Sequence, residues 1–374
     1  MRQAHKHSSG FTMIELLVSL ALGMIVVAAA VQLFSSGLKA TFTVSQRAEM
    51  QQDIRAAQNM MTADIGLAGA GMPSGGLALE SGGGKTPRYG CDQSGKCYLG
   101  TSNSSAISFP SNYLYGIIPG NDKGIAINAS QGATDIITLD YVDTTLALNC
   151  YQVTFVNANG TQVKFSLPTT PLPGCSNSTT QAVTDSGVGL TAGDVVMFTY
   201  GSNVAVAEVS SASGSSSPYT VNFNDSDPMY LQQSTATLGD IKQVANNVGS
   251  ISTNTVAQRV LVITYYLDQV SDPTGLTGAT PRLMKQVSGH TPIPLAENVA
   301  YLQFTYDTYD SNGNLLVATN DAGASQGVSP SMIRNVNIAH MTLRSQIQGT
   351  SGYQGFDVST SVSARNLTYS NRYQ

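Results

Sequence analysis

From Phe11 to Val31 almost every position is apolar, and a single carboxylate, Glu15, stands inside the run. Coiled as a helix, this stretch spans roughly 31 Å, about one hydrocarbon thickness. Between Phe34 and Gly66 the pattern changes. Met50, Ile54, Ala57, Met61, Ile65 and Ala68 recur at spacings of four and three, while Arg47, Gln51, Gln52, Arg55, Gln58 and Asn59 fill the other side. That period is helical, and with no proline and only Gly37 in its interior the segment continues the apolar helix. Gly66, Gly69, Gly71 and Pro73 supply the stop. The pattern predicts one helix over 11–70, apolar and membrane-length over 11–34 and amphipathic over 35–70.

The remainder reads as strand and turn. A Gly/Ser-rich connection over 71–130 is expected to run on the surface and to carry a loop between Cys91 and Cys97. A β-rich domain over 131–374 follows. Its runs include "DIITLDYV" (135–142), "CYQVTFV" (150–156), "TQVKFSL" (161–167), "DVVMFTY" (194–200) and "VAVAEV" (204–209), with Asn159-Gly160 as a hairpin signal and the Ser-rich 210–217 stretch as a loop. Longer runs come later: "RVLVITYYLDQ" (259–269), "RLMKQV" (282–287), "VAYLQFTYDTYD" (299–310), "RNVNIAHMTLRSQ" (334–346) and "FDVSTSVSARNL" (356–367). Several alternate apolar and polar residues, as an antiparallel sheet with one face on a core requires. One long helix followed by many strands is an α+β arrangement, with the helix covering the sheet.

Composition narrows the class. The 374 residues are 41% apolar, enough for a real core, but only 11% charged, well under the roughly 25% of an average soluble protein. Net charge is −5 with no basic run, so nothing points to nucleic acid. Cys91, Cys97, Cys150 and Cys175 are even in number and follow an export-type segment, which predicts disulfides in an oxidising compartment. Three pairings are open; Cys91 with Cys97 and Cys150 with Cys175 closes the shortest loops. None of the four has the spacing of a zinc site.

The N-terminal ten residues, MRQAHKHSSG, are hydrophilic, carry Arg2 and Lys6, and end at Gly10. Positive charge ahead of an apolar segment keeps a leader on the cytoplasmic side. A secretory signal cut near Ala28, Ala29 and Ala30, or a plain signal anchor, must tolerate Glu15, since a charge deep in a span costs on the order of 2.5–3.5 kcal/mol. Near the helix start the cost is smaller, because the carboxylate reaches the interface and the helix N-terminus favours negative charge.

The residues G-F-T-M-I-E at 10–15 resemble the leader junction of type IV prepilins and type II secretion pseudopilins: a short basic leader, Gly, Phe, three residues, Glu and an apolar helix. The resemblance implies cleavage after Gly10 by a prepilin peptidase, methylation of the new Phe11 amine, and Glu15 as the carboxylate that pairs with the Phe11 amine of a neighbouring subunit and sets register in a filament. Further along, "ITYYL", "PRLMKQVSG", "PLAENVAYLQFTYD", "IRNVNIAHMTLRSQ", "SVSARNL" and the 190–210 stretch resemble the PilW family of minor pilins, and more distantly the J-type minor pseudopilin. Between 72 and 190 little matches. The implied protein is a non-catalytic subunit without a cofactor, held in the inner membrane by one span with its C-terminal domain in the periplasm. It would then join major and other minor pilins, through the inner-membrane assembly platform, at a pilus tip that presents a larger adhesin; in the alternative, the β domain is itself an adhesin that binds a surface ligand through the 72–190 region.

Enzymatic motifs fail on inspection. "GGGKT" (82–86) has Leu79 where a phosphate loop needs its first glycine, and "GAGMPS" (69–74) has Ser74 where a dinucleotide fingerprint needs its third. Asp310, Asn312 and Asn314 alternate like the start of a calcium loop, with Asp321 further on, but the glycine stands at the fourth position rather than the sixth. An Asn-Gly hairpin turn is the simpler reading there, and "NDSDP" (224–228) also reads as a turn.

Overall fold

The computed structural model describes residues 10–367 apart from 74, 226, 253, 272–278, 311, 320–329 and 347–352. Arg2 and Lys6 of the leader and Asp321 of the calcium-like run lie outside the described residues. One helix, Met13–Leu67, spans 55 residues, about 80 Å at the α-helical rise. Only its second half is covered. Met50, Ile54, Ala57, Met61 and Ile65 are buried, Ala68 follows at its cap, and Arg47, Gln51, Gln52, Arg55 and Asn59 are exposed, as the period predicts. The apolar first half touches nothing: Phe11, Leu17, Ile25 and Phe34 are all exposed. A helix of this length and mean hydropathy is able to cross a membrane.

The stop falls where the glycines predict it. Gly69 and Gly71 take left-handed φ of 79° and 73°, which residues with a Cβ rarely adopt. A Cβ on Gly71 would also lie 2.8 Å from the Val142 Cβ. The chain turns there and bonds at once to the 136–142 strand, Gly69 N donating to Asp140 O at 2.8 Å and Val142 N to Ala70 O at 2.9 Å. The last carbonyls of the helix are met from the far end of the chain. Asn366 Nδ2 donates to the oxygens of Gly66, Leu67 and Ala68 at 3.2–3.4 Å.

The predicted α+β class holds: the long helix packs on large antiparallel sheets. A ten-stranded sheet is organised around Thr255–Ser271, which pairs with Val195–Tyr200 along its first third and with Ala279–Val287 along its second half. Its middle also pairs with Ile136–Val142. Asn203–Ser213, Tyr219–Phe223, Gln162–Ser166 and Gln152–Phe155 extend the sheet away from the helix. A four-stranded sheet runs Leu315–Thr319, Val299–Tyr309, Ile333–Gln346, Tyr353–Ser363.

Three cores result. The first joins the helix face to both sheets through Ile137, Leu139, Ile263, Tyr265, Leu302, Phe304, Ile338 and Met341. The second lies within the outlying strands around Phe155, Phe165, Phe198 and Phe223. The third holds Leu77, Leu79, Tyr89, Leu99 and Leu114 against Val260, Val262 and Tyr266.

This third core corrects two expectations. Between 77 and 118 the connection packs onto the sheet instead of running over the surface, and the central strands do not have one solvated face. Along Thr255–Ser271, Ile263, Tyr265 and Leu267 point into the first core while Val260, Val262 and Tyr266 point into the third. A strand covered on both faces reads as a continuous apolar run, as "RVLVITYYL" does. The Gly/Ser-rich stretch is the cover. The Ser-rich 210–217 segment likewise continues the strand as far as Ser213 rather than looping at Ser210. The Asn159-Gly160 signal does mark a hairpin, closed as a wider turn in which Asn157 Oδ1 accepts from Thr161 N.

One polar group sits in the apolar helix face. Asp64 accepts from Tyr141 Oη at 3.0 Å, Tyr265 Oη at 2.5 Å and Lys285 Nζ at 2.6 Å. Removing one member of a buried pair costs about 3–5 kcal/mol, because the partner is left charged and dry. Asp64→Ala is therefore expected to lower stability to chemical denaturation in detergent by about 3 kcal/mol. Adding Lys285→Met to that variant should recover part of the loss. A single-variant loss under about 1 kcal/mol would show that the apolar face alone seats the helix.

Candidate functional site

The predicted processing junction begins the described chain. Gly10, Phe11 and Thr12 precede the helix and are exposed, Phe11 by 84%. Thr12 is the N-cap. Its Oγ1 accepts from Glu15 N at 3.3 Å, and Glu15 Oε2 accepts from Thr12 N and Thr12 Oγ1, both at 2.9 Å. This reciprocal arrangement is a capping box, spelled T-x-x-E. The Glu15 carboxylate is thus folded back over the first turn, where the free N–H groups of the helix favour an anion. It lies one turn from Phe11 and roughly 60 Å along the helix from Ile54, so nothing on the β domain reaches it. The T-x-x-E spacing of this cap is legible in the sequence, and it gives the favourable N-terminal position of Glu15 a specific partner in Thr12.

The cysteines form two bonds, Cys91–Cys97 and Cys150–Cys175, and none is free. Inside the smaller loop Asp92 accepts from the backbone of Ser94 and Lys96 and from the Tyr98 hydroxyl. Its neighbour Gln93 is thereby aimed outward from the loop and donates to Glu208. The larger loop ties the 167–190 excursion to the second core, where Cys150 is buried. Asp310 is occupied by its own turn: it accepts from the backbone of Asn312 at 2.9 Å and Asn314 at 2.7 Å, with Asn314 Nδ2 on its other oxygen at 3.0 Å. The hairpin explains these residues.

Four carboxyls that carried no sequence signal meet between the 77–97 and 224–243 stretches. Glu80, Glu208, Asp227 and Asp240 are all nearly inaccessible. Glu80 accepts from Gln233 N, Glu208 from Gln93 and Met229 N, and Asp227 from Leu231 N at 2.7 Å. "NDSDP" is therefore a turn with a buried acid at its end. Burial pushes Glu80 up to about 8 and Glu208 up to about 7, and it raises Asp227 and Asp240 as well, with the Glu208 charge acting on Asp227. Each of these groups therefore holds its proton to a higher pH than a carboxyl in water.

The prokaryotic N-terminal methylation motif matches residues 5–31. Its match covers the junction and the exposed apolar half of the helix, and marks the chain as type IV pilin- or pseudopilin-like. Such a motif implies processing by a prepilin peptidase, anchoring in the inner membrane before assembly, and assembly with other pilins in a structural rather than enzymatic role. Searches of curated proteins and of solved structures return no match.

The buried acids set the sign of a pH dependence. Glu80 and Glu208 have ordinary values near 4.5 and raised folded values. Their contribution to stability is complete below about pH 4.5 and is lost as pH climbs through about 7 and 8. Asp92, Asp143 and Asp307 oppose this only at low pH: burial works against their charge, but their hydrogen-bond donors outweigh it and hold them below the usual range. The melting temperature should therefore fall by several degrees between about pH 5.5 and 8.5, and Glu80→Gln should flatten the upper half of that decline. A melting temperature that is constant over this range would contradict the buried, protonated state of these groups.

Proposed function

We propose that this chain is a minor type IV pilin of the PilW kind. It is cut after Gly10, methylated on Phe11, and joins other minor pilins in a complex that primes filament assembly and stays at the tip. The observation that carries this reading is the G-F-T-M-I-E junction ahead of a bare apolar half-helix whose other half is rooted in a large β domain. The bare half is stable in lipid and equally stable in a bundle of like helices, so the same surface serves both states. Leaving lipid then turns on Glu15. In the single subunit its carboxylate is held by Thr12; in a bundle the methylated Phe11 amine of the next subunit offers it a charge. An opposite charge in a dry environment offsets desolvation and fixes axial register.

A tip position accords with the size of the domain. Two of its three cores make no use of the helix. A subunit repeated along a shaft must fit neighbours above and below, whereas the last subunit has free space on one side. The same junction occurs in J-type pseudopilins of type II secretion, and the added second and third cores favour the pilin reading.

Two outcomes are expected. Glu15→Ala should be cleaved normally but recovered in sheared filaments at about a tenth or less of the unaltered level, a ratio of about 1.4 kcal/mol or more. Gold-labelled antibody against the β domain should decorate filament ends; labelling along the whole shaft, or full incorporation of Glu15→Ala, would overturn the reading.

A further inference from the structure

Two clefts meet beside the Asn203–Ser213 strand. One, of about 360 Å³, is lined by Lys85, Arg88, Gln93, Glu208, Asp227 and Tyr230 among others. The second, of about 460 Å³, lies over Asn157, Gln162, Ser211 and Asn222. Ser210 and Asn224 line both, so the two form one trough. The pairing with Tyr219–Phe223 shifts register between Val209 and Ser211, and such a bulge re-aims side chains and frees groups from the ladder. None of the trough residues belongs to the core that seats the helix.

The chemistry of the trough is uneven along its length. At one end Tyr230 carries two cations on its ring, the Arg88 guanidinium 4.0 Å and the Lys85 ammonium 4.6 Å from the centroid. Arg88 Nε donates to Pro228 O at 2.8 Å, and the half-buried side chain lines the cleft. Among the described residues neither cation forms an ion pair. Beneath them Glu208 and Asp227 are inaccessible and burial raises both, with the Arg88 charge acting the other way on Glu208, so the charge that meets solvent at this end is that of Lys85 and Arg88.

Toward the other end the lining is mostly amides and hydroxyls, with one carboxylate, Asp225, at its edge, where it accepts from Ser234 N and Ser234 Oγ. Gln162 Nε2 donates to Asn222 Oδ1, Asn222 Nδ2 to Ser211 Oγ, and Ser210 Oγ to the Asn222 carbonyl, each at 2.9 Å. Each amide keeps a further donor or acceptor beyond these bonds. Most small-molecule sites of this volume are walled by apolar side chains. A wet, hydrogen-bonding trough with cations at one end suits a chain of hydroxyls that ends in, or includes, an anion.

We propose that this trough binds an acidic oligosaccharide, its sugar carboxylate on Lys85 and Arg88 and its neutral sugars along Ser210, Asn222 and Gln162. The assignment stands on the trough alone, so its failure would leave the filament reading intact. The test uses the full chain in detergent micelles and saturation-transfer NMR observed on the sugar, with trigalacturonate and sialyllactose as probes. Their neutral counterparts are the methyl ester of the first and lactose.

At least one acidic probe is expected to bind, about fivefold or more tightly than its neutral counterpart. Lys85→Gln, at an exposed position, should remove that difference, and Asn224→Ala should weaken both members of the pair; circular dichroism on each variant reports folding. No saturation transfer to either acidic probe at roughly 10 mM, a limit of about 2.7 kcal/mol of binding, would overturn the proposal. So would equal affinity for the acidic and neutral forms. Displacement of the probes by inorganic phosphate at equal concentration would reassign the site to a bare anion and overturn the saccharide.

Discussion

The burial of one helix face decides the rest of the molecule. Met50, Ile54, Ala57, Met61 and Ile65 enter the first core, and each such side chain gains about 1.5–3 kcal/mol by leaving water. Asp64 stands in the same face and is met by two tyrosines and a lysine from three different strands. The apolar residues supply adhesion, while the carboxylate admits only one rotation and one height of the helix against the sheet. Asn366 then closes the helix end from the last described segment, so the two extremes of the fold are tied at one point. With the second half of the helix held this firmly, the first half projects as a bare apolar rod, which is the form a membrane or a filament core requires.

The sheet carries the consequence outward. Because the helix covers only one face of Thr255–Ser271, its other face needs a second cover, and the 77–114 stretch supplies it. That cover is short of regular structure and depends on point contacts instead: the Cys91–Cys97 bond, the Asp92 turn, and Gln93 reaching Glu208. Its two carboxyls differ: Glu80 is raised by burial, while the donors around Asp92 hold that group below the usual range. The outlying strands then build a separate core of four phenylalanines that owes nothing to the helix. The domain is layered from a membrane-facing root to an outward end whose surface is polar and unpaired.

Much of this was legible from residue patterns, for reasons that differ by element. The helix was, because a period of 3.6 over Met50 to Ala68 depends only on local geometry, and its end was, because Gly69 and Gly71 need left-handed backbone. The main strands were, since their apolar runs are bounded by turn residues. The path of 71–130 was not. Glycine and serine read as surface, and the sparse Leu77, Leu79, Tyr89 and Leu99 show their purpose only once an uncovered sheet face stands opposite them. At the junction, Gly10, Phe11 and Glu15 were legible as a motif, and the Thr12 cap was present in the same six letters. The cluster of buried acids was not, because Glu80, Glu208 and the Asp227–Asp240 stretch are far apart in the chain and meet only through the fold.

Glu15, Asp64 and Glu208 each interrupt an apolar stretch, and they are tolerated by three different means. Glu15 is held by donors three residues away, so its partner is written beside it and survives any change of environment outside the chain. Asp64 is held by Lys285 and two hydroxyls brought from more than seventy residues away, so it reports that the domain has closed. Glu208 shares its burial with Asp227, and that burial raises its hold on a proton. Sequence context alone does not separate them, since each interrupts an apolar run. What separates them is the source of the compensating group: local, tertiary, or the solvent's own proton. Only the first leaves its carboxylate exposed to a second molecule, and that is why the residue suited to exchanging one partner for another lies at the free end of the helix rather than in the domain.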